Sequence, residues 1–169
     1  PNYSGFDEKR HFANREFVEY HSKNYKKFQP IEIQNKKVGI TICEDIFDED
    51  YDLKPATELT KNGAEIIINI LYCPFRVGKR NIHYNIIEQK VKKINIPLIF
   101  CSGVGLQNNG KTIYTFDGIS AAWNKNAKLI DQADMFVETY KDFEFENGEL
   151  KSLSKSNYEE KSELAQIHE

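Results

Sequence analysis

Cys43 closes the β-branched run Val38-Gly39-Ile40-Thr41-Ile42 and is followed at once by Glu44 and Asp45. A thiol at the C-terminal end of a buried strand, at the turn into the next segment, can stand at a sheet rim while backbone N–H groups face a developing oxyanion. That placement offers nucleophilic attack on an acyl carbon. A cysteine on such a strand also serves as a small core hydrophobe, so position alone leaves both roles open. An unperturbed thiol titrates near about 8.5, so a nucleophile here needs a neighbouring base or cation to reach the thiolate at neutral pH. Attack on an acyl carbon adds a further need, a donor to the oxyanion.

The elements that would hold Cys43 follow from the pattern around it. Ile31-Glu32-Ile33 alternates, Gln34-Asn35-Lys36 reads as a turn, and residues 38–42 form the buried strand that ends at the thiol. Pro55 suits the first turn of a helix that runs to Lys61, with Asn62-Gly63 as its stop. Residues 65–71 make a second apolar strand, Tyr72-Cys73-Pro74-Phe75 a loop, and residues 78–95 a helix with Ile82, Ile86, Val91 and Ile94 on its apolar side. Residues 97–101 form a third strand ending in another cysteine. Strand, helix, strand, helix, strand with near-continuous apolar strands predicts parallel pairing, which brings Cys43, Cys73 and Cys101 to one sheet edge, the rim where open α/β sheets bind ligands. An antiparallel tail is expected next, with strands at 111–115, 119–123, 128–131 and 135–140 and a hairpin at 143–150. The Ser-, Lys- and Glu-rich stretch 151–160 then reads as a solvated linker.

Other patterns fall short of their chemistry. Asp48-x-Asp50-x-Asp52 has Leu53 where a calcium loop needs its turning glycine and Leu59 where it needs a closing glutamate. Gly103-x-Gly105-x-x-Asn108 lacks the third glycine of a dinucleotide fingerprint, and Gly78-Lys79-Arg80 lacks the rest of a phosphate loop. Three distant cysteines give neither a disulfide framework nor zinc spacing. With 23 basic against 26 acidic side chains in 169 residues, the net charge of -3 argues against nucleic acid as a partner. No apolar run approaches a membrane span and no signal segment opens the chain, so the expected compartment is the cytoplasm.

Three blocks in one order carry a resemblance: residues 39–45, then Asn69-Ile70-Leu71-Tyr72-Cys73-Pro74-Phe75 with Gly78-Lys79, then Phe116-Asp117-Gly118-Ile119-Ser120. With the opening Pro1-Asn2-Tyr3 and Phe6-Asp7-Glu8-Lys9-Arg10, they resemble the nitrilase (carbon–nitrogen hydrolase) superfamily. The likeness is strongest to the glutamine-hydrolysing domain of glutamine-dependent NAD synthetases and runs from Pro1 to about Tyr140.

The resemblance implies an α/β fold, a partial nitrilase-type α-β-β-α sandwich lacking its N-terminal part. Residues 1–142 would be the C-terminal portion of the glutaminase domain, and residues 143–169 a hairpin and linker toward a synthetase domain; Leu164-Ala165-Gln166-Ile167-His168-Glu169 is similar to the stretch that leads there. It implies a Glu-Lys-Cys triad that opens L-glutamine through a thioester. Cys43 matches the nucleophile and Glu8 an auxiliary glutamate that steadies the catalytic lysine, while that lysine and the general-base glutamate would both precede Pro1. Tyr3, Cys73 and Lys79 match substrate-contacting positions, and Glu44 would meet the substrate's α-amino group or else cap the following helix. Cys73 stands where serine is usual, Phe47 where tryptophan is common, and His83 where arginine often follows; a histidine on that helix face is expected to be solvated. No cofactor is implied for this domain, ATP and Mg are implied for the synthetase domain, and a homo-oligomer is implied for the full-length protein. The 169 residues by themselves are expected to be hydrolytically inactive and poorly soluble, with bare sheet surface exposed.

Overall fold

The computed structural model describes residues 28–108 and 110–154. Its frame is a six-stranded sheet of β1 (Ile31–Ile33), β2 (Lys36–Ile42), β3 (Ile66–Leu71), β4 (Leu98–Ser102), β7 (Ala121–Trp123) and β8 (Leu129–Gln132), side by side in that order. The hairpin between β1 and β2 turns on Gln34 and Asn35, both at positive φ, the pair of left-handed residues that a tight two-residue turn requires. β2, β3 and β4 run parallel, with Ile42 beside Ile70 and Ile70 beside Cys101, as the alternating strand and helix pattern predicts. Their crossovers are helices α1 (Pro55–Lys61) and α2 (Lys79–Ile94). Proline opens α1, where its missing N–H costs nothing, and Asn95 at φ 56 ends α2 by donating to the Val91 carbonyl.

Strand alternation divides the sheet into two faces. Thr41, Ile67, Asn69, Leu98 and Phe100 point to the helix side and are sealed there with Ile46, Leu59, Ile87, Val91 and Trp123. Gly39 lets α1 come this close, because a Cβ at that position would lie 2.6 Å from Ile67 Cδ1 and 3.2 Å from Leu59 Cβ. The buried stripe of α2 consists of Tyr84, Ile87, Lys90, Val91 and Ile94, so Ile82, expected on the apolar side, is exposed. Lys90 occupies the core because its ammonium meets Asp48, both side chains being fully buried, and reaches Glu49 at 3.1 Å. Asp48 is thereby an anchor for α2, and the acidic run it begins is tied down by Lys54 as well, which donates to the carbonyls of Asp48 and Glu49.

The second face carries Val38, Ile40, Ile66, Ile68 and Ile99 and is covered at one end by the hairpin of β9 (Phe143–Glu146) and β10 (Glu149–Ser152), through Phe143, Phe145 and Leu150. Asp131 of β8 holds that hairpin by accepting from Ser152 Oγ and, at 3.1 Å, from Lys141 Nζ. Toward the strand ends, Ile42 and Ile70 stay 49% and 51% exposed.

The tail departs from expectation in two places. Val104–Asn108 (β5) pairs antiparallel with Ile113–Asp117 (β6) in a separate ribbon, although the expected antiparallel strands began only at residue 111. Residues 135–140 form no strand: Phe136 turns at φ 61 and donates its N–H to the Asp117 carbonyl, and the chain beyond it runs irregularly to β9. No helix among the described residues is long and apolar enough to cross a membrane.

Candidate active site at the ends of the parallel strands

The chain leaves β2 through a single 3-10 turn, Cys43–Ile46. Cys43 takes φ 51, a left-handed conformation that costs an L-residue about 1–2 kcal/mol. Asp45 holds it there. Its Oδ2 accepts the Ile42 N–H at 2.9 Å, and that bond pulls the turn back over the strand end. The bend points the Glu44 N–H at the Cys43 sulfur. Below the turn, Asn69 Nδ2 donates to Thr41 Oγ1 at 3.0 Å and approaches the Cys43 carbonyl at 3.5 Å, while its buried Oδ1 has no partner among the described residues.

Cys73 is the next thiol, two residues past β3 on the neighbouring strand, half-buried against the same core and close enough to Cys43 to interact with it electrostatically. Burial pushes the Cys43 thiol up to about 11, the Glu44 carboxylate and the Cys73 thiol add to the rise, and the Glu44 N–H opposes it. Such a thiol is ionised in roughly one molecule in ten thousand at pH 7. Cys73 is raised too, by burial first, with the Lys79 cation pulling it back. Asp45 is pushed up to about 6, by burial, against the stabilising Ile42 N–H.

Lys79 is 3% exposed and its donors are committed: 2.8 Å to the Cys73 carbonyl, 2.8 Å to the Pro74 carbonyl and 3.1 Å to Asp117 Oδ1. An ammonium turned inward in this way leaves Gly78-Lys79-Arg80 no cradle for a phosphate. Burial raises the Asp117 carboxyl, and the Lys79 cation resists that rise. His83, expected to be solvated, sits half-buried between the rings of Phe47 (centroids 4.7 Å) and Phe100 (6.3 Å), and burial drops it to about 4. Cys101 lies on the other face of the sheet, in a groove of about 390 Å³ with Ile68, Ile99 and Tyr140, so it does not join the other two thiols.

Of the residues singled out from sequence, Cys43, Glu44, Cys73 and Lys79 therefore gather at the ends of β2 and β3, whereas Tyr3 and Glu8 lie outside the described residues. Asp45 and Asp117 complete the group. Asp45 could have been noticed from its place three residues after the strand's last residue, the spacing of a side chain that reaches back to a turn's first N–H.

Comparison with known proteins places this arrangement. No protein-family model matches the chain. The glutamine-dependent NAD(+) synthetase of Synechocystis is 31% identical over 159 residues, 89% of this chain and 26% of that protein. The structure of glutamine-dependent NAD+ synthetase from Acinetobacter baumannii superposes with a TM-score of 0.63 at 23% identity, over 78% of this chain and 24% of that one. A carbon-nitrogen hydrolase from Helicobacter pylori gives 0.59 at 22% identity, over 68% of this chain and 42% of that one. The fold is thus shared with a carbon–nitrogen hydrolase, and the sequence likeness is to the glutamine-dependent NAD(+) synthetases. The chain spans about a quarter of the length of the curated relatives it matches. The sheet-rich α/β fold is like that of these solved structures, and in this chain the cysteine turn lies at the end of a parallel strand.

Proposed function

We propose that the chain carries the nucleophile side of a glutamine amidohydrolase site that supplies ammonia for NAD formation. The observation that carries this reading is Cys43, bent into a left-handed turn at the end of β2 with a backbone N–H on its sulfur and the Cys73 loop beside it. In the proposed reaction the Cys43 sulfur attacks the side-chain amide carbon of L-glutamine. The C–N bond breaks as the nitrogen takes a proton and leaves as ammonia, and water then releases glutamate from the thioester. The Glu44 N–H is placed to donate to charge on the sulfur or on the oxyanion, and the Glu44 carboxylate is the proposed contact for the α-amino group. Cys73 and Tyr3 are the proposed contacts on the remaining sides.

A thiol held at about 11 needs a base and a cation that Cys43 does not find in Lys79, whose donors are engaged elsewhere. The proposed triad therefore draws its lysine and general-base glutamate from chain that would precede Pro1, with Glu8 steadying the lysine. Ammonia would pass to a synthetase domain that uses ATP and Mg, in a protein proposed to be a homo-oligomer. These 169 residues by themselves are expected to turn over no glutamine. The raised thiol also favours a second reading, a non-catalytic nitrilase-like interaction domain.

The deciding experiment treats a gene product that contains this chain and its upstream sequence with 6-diazo-5-oxo-L-norleucine, a glutamine mimic that alkylates amidohydrolase cysteines. Stoichiometric modification of Cys43, protection by glutamine, and ammonia release abolished by Cys43→Ala are expected. An unmodified Cys43 in a folded product would overturn the amidohydrolase reading and leave the interaction domain.

A further inference from the structure

The loop between β3 and α2 has no regular structure, yet its backbone is held from two directions. Phe75 donates its N–H to the Thr115 carbonyl of β6, and Lys79 gathers the carbonyls of Cys73 and Pro74 onto one ammonium. That ammonium is itself fixed by Asp117 at the end of β6, whose side chain is 1% exposed. Tyr72, at the start of the loop, stacks on Phe116 with ring centroids 3.8 Å apart. The ring lies across Gly103, where any Cβ would fall within 1.7 Å of it. The loop is thus pinned to β6 at Tyr72, at Phe75 and through Lys79.

We propose that Lys79 and Asp117 are a positioning pair that seats Cys73 beside Cys43 by turning the two loop carbonyls inward, so that the loop offers its thiol, and not its carbonyl oxygens, to the nucleophile. The purpose of that seating rests on the amidohydrolase reading above; its geometry does not. Lys79 then acts on Cys73 through the loop backbone. Three donors match three acceptors, a carboxylate and two carbonyls, and this satisfies an ammonium that would otherwise be costly to bury. An arginine's planar fork would not fill the same three-way site, so charge alone is not the requirement.

The test needs no substrate, so its failure is separable from failure of the amidohydrolase reading. The 169-residue chain, its Lys79→Met/Asp117→Asn double variant and its Lys79→Arg variant are labelled with iodoacetamide at pH 8.5, and each cysteine is followed by mass spectrometry. The double variant removes both charges together, which avoids stranding a buried carboxylate, and thermal unfolding checks its fold. Release of the loop is expected to speed labelling of Cys73 several-fold in the double variant and less in Lys79→Arg, with Cys101 unchanged. An effect of charge alone predicts slower or unchanged labelling, since the double variant loses both the Lys79 cation, which lowers the Cys73 thiol, and the Asp117 carboxylate, which raises it less. Slower or unchanged labelling of Cys73 would overturn the proposal. So would equal acceleration at Cys73 and Cys101, which would mean a general loosening and no local clamp.

Discussion

On the helix side of the sheet even a lysine and an aspartate are completely buried, whereas on the other side Ile42 and Ile70 leave about half their surface to solvent. The same strands build both faces. The difference lies in what crosses them: two crossover helices on one side, and a single four-residue-per-strand hairpin reaching one end on the other. Burial against helices is what permits charged pairs and a strained turn to persist near Cys43, because water cannot compete for their partners.

The largest test of that contrast is Lys90→Met. It leaves the buried Asp48 carboxylate with Lys54 Nζ, 4.0 Å away, as its remaining ion-pair partner and is expected to cost about 3 kcal/mol in urea unfolding, while Lys90→Met/Asp48→Leu recovers most of the loss. A single variant as stable as the parent would mean that the pair is hydrated and the helix side less sealed than its burial indicates. Trp123→Ala, which empties the floor under Tyr84, is expected to cost a similar amount, about 3–5 kcal/mol.

Proton linkage sharpens the same contrast. Asp45, pushed up to about 6, penalises the folded state above that pH, and the penalty is relieved as pH falls toward its unfolded value of 3.8. His83, dropped to about 4, does the reverse, and stability is lost as pH falls from 6.5 through 4. Each contributes a slope of at most about 1.4 kcal/mol per pH unit, with opposite signs, between pH 4 and 6. The parent should therefore show a nearly flat melting temperature there, His83→Gln a rise on acidification, and Asp45→Asn a steeper fall. The hairpin side responds lower. Burial would raise the Asp131 carboxyl, but its bonds to Ser152 and Lys141 hold it below 3.8, so its contribution is lost only as pH drops through that lowered value.

Two smaller effects complete the series. Asp45→Ala removes the acceptor for the Ile42 N–H and is expected to cost about 1 kcal/mol, as the loss of a cap does. It should also change the rate of Cys43 alkylation, whose rise in the parent should still be incomplete at pH 10. Ile70→Ser on the bare face should move stability by less than about 0.5 kcal/mol while improving solubility, read by light scattering. A large destabilisation from Ile70→Ser would show that this face is covered.

The parallel core and Cys43's place at a strand end were legible because β-branched runs, Pro55 and Asn62-Gly63 are local signals. β5 was missed because Gly105 interrupts its alternation and the ribbon lies in solvent, with Leu106 74% exposed, so no buried face disciplines its pattern. Val137 and Tyr140 looked like strand residues, but the left-handed Phe136 diverts the chain before they could pair. Around Cys43, the bond from Lys79 to Asp117 spans 38 positions and leaves no trace in local spacing. His83 was misjudged because a polar side chain on a helix reads as solvent-facing until its partners from elsewhere in the chain are known, and nothing local marks Lys90 as buried.

Asp48 and Lys90 also constrain how this sequence can drift. Exchanging Asp48 by itself leaves buried Lys90 with only the exposed Glu49 carboxylate, and exchanging Lys90 leaves Asp48 with Lys54 Nζ at 4.0 Å, so paired exchange is the less costly route at both positions. The pair thus acts as a lock with two keys, one of them five residues downstream of Cys43 and the other on the helix that crosses the sheet.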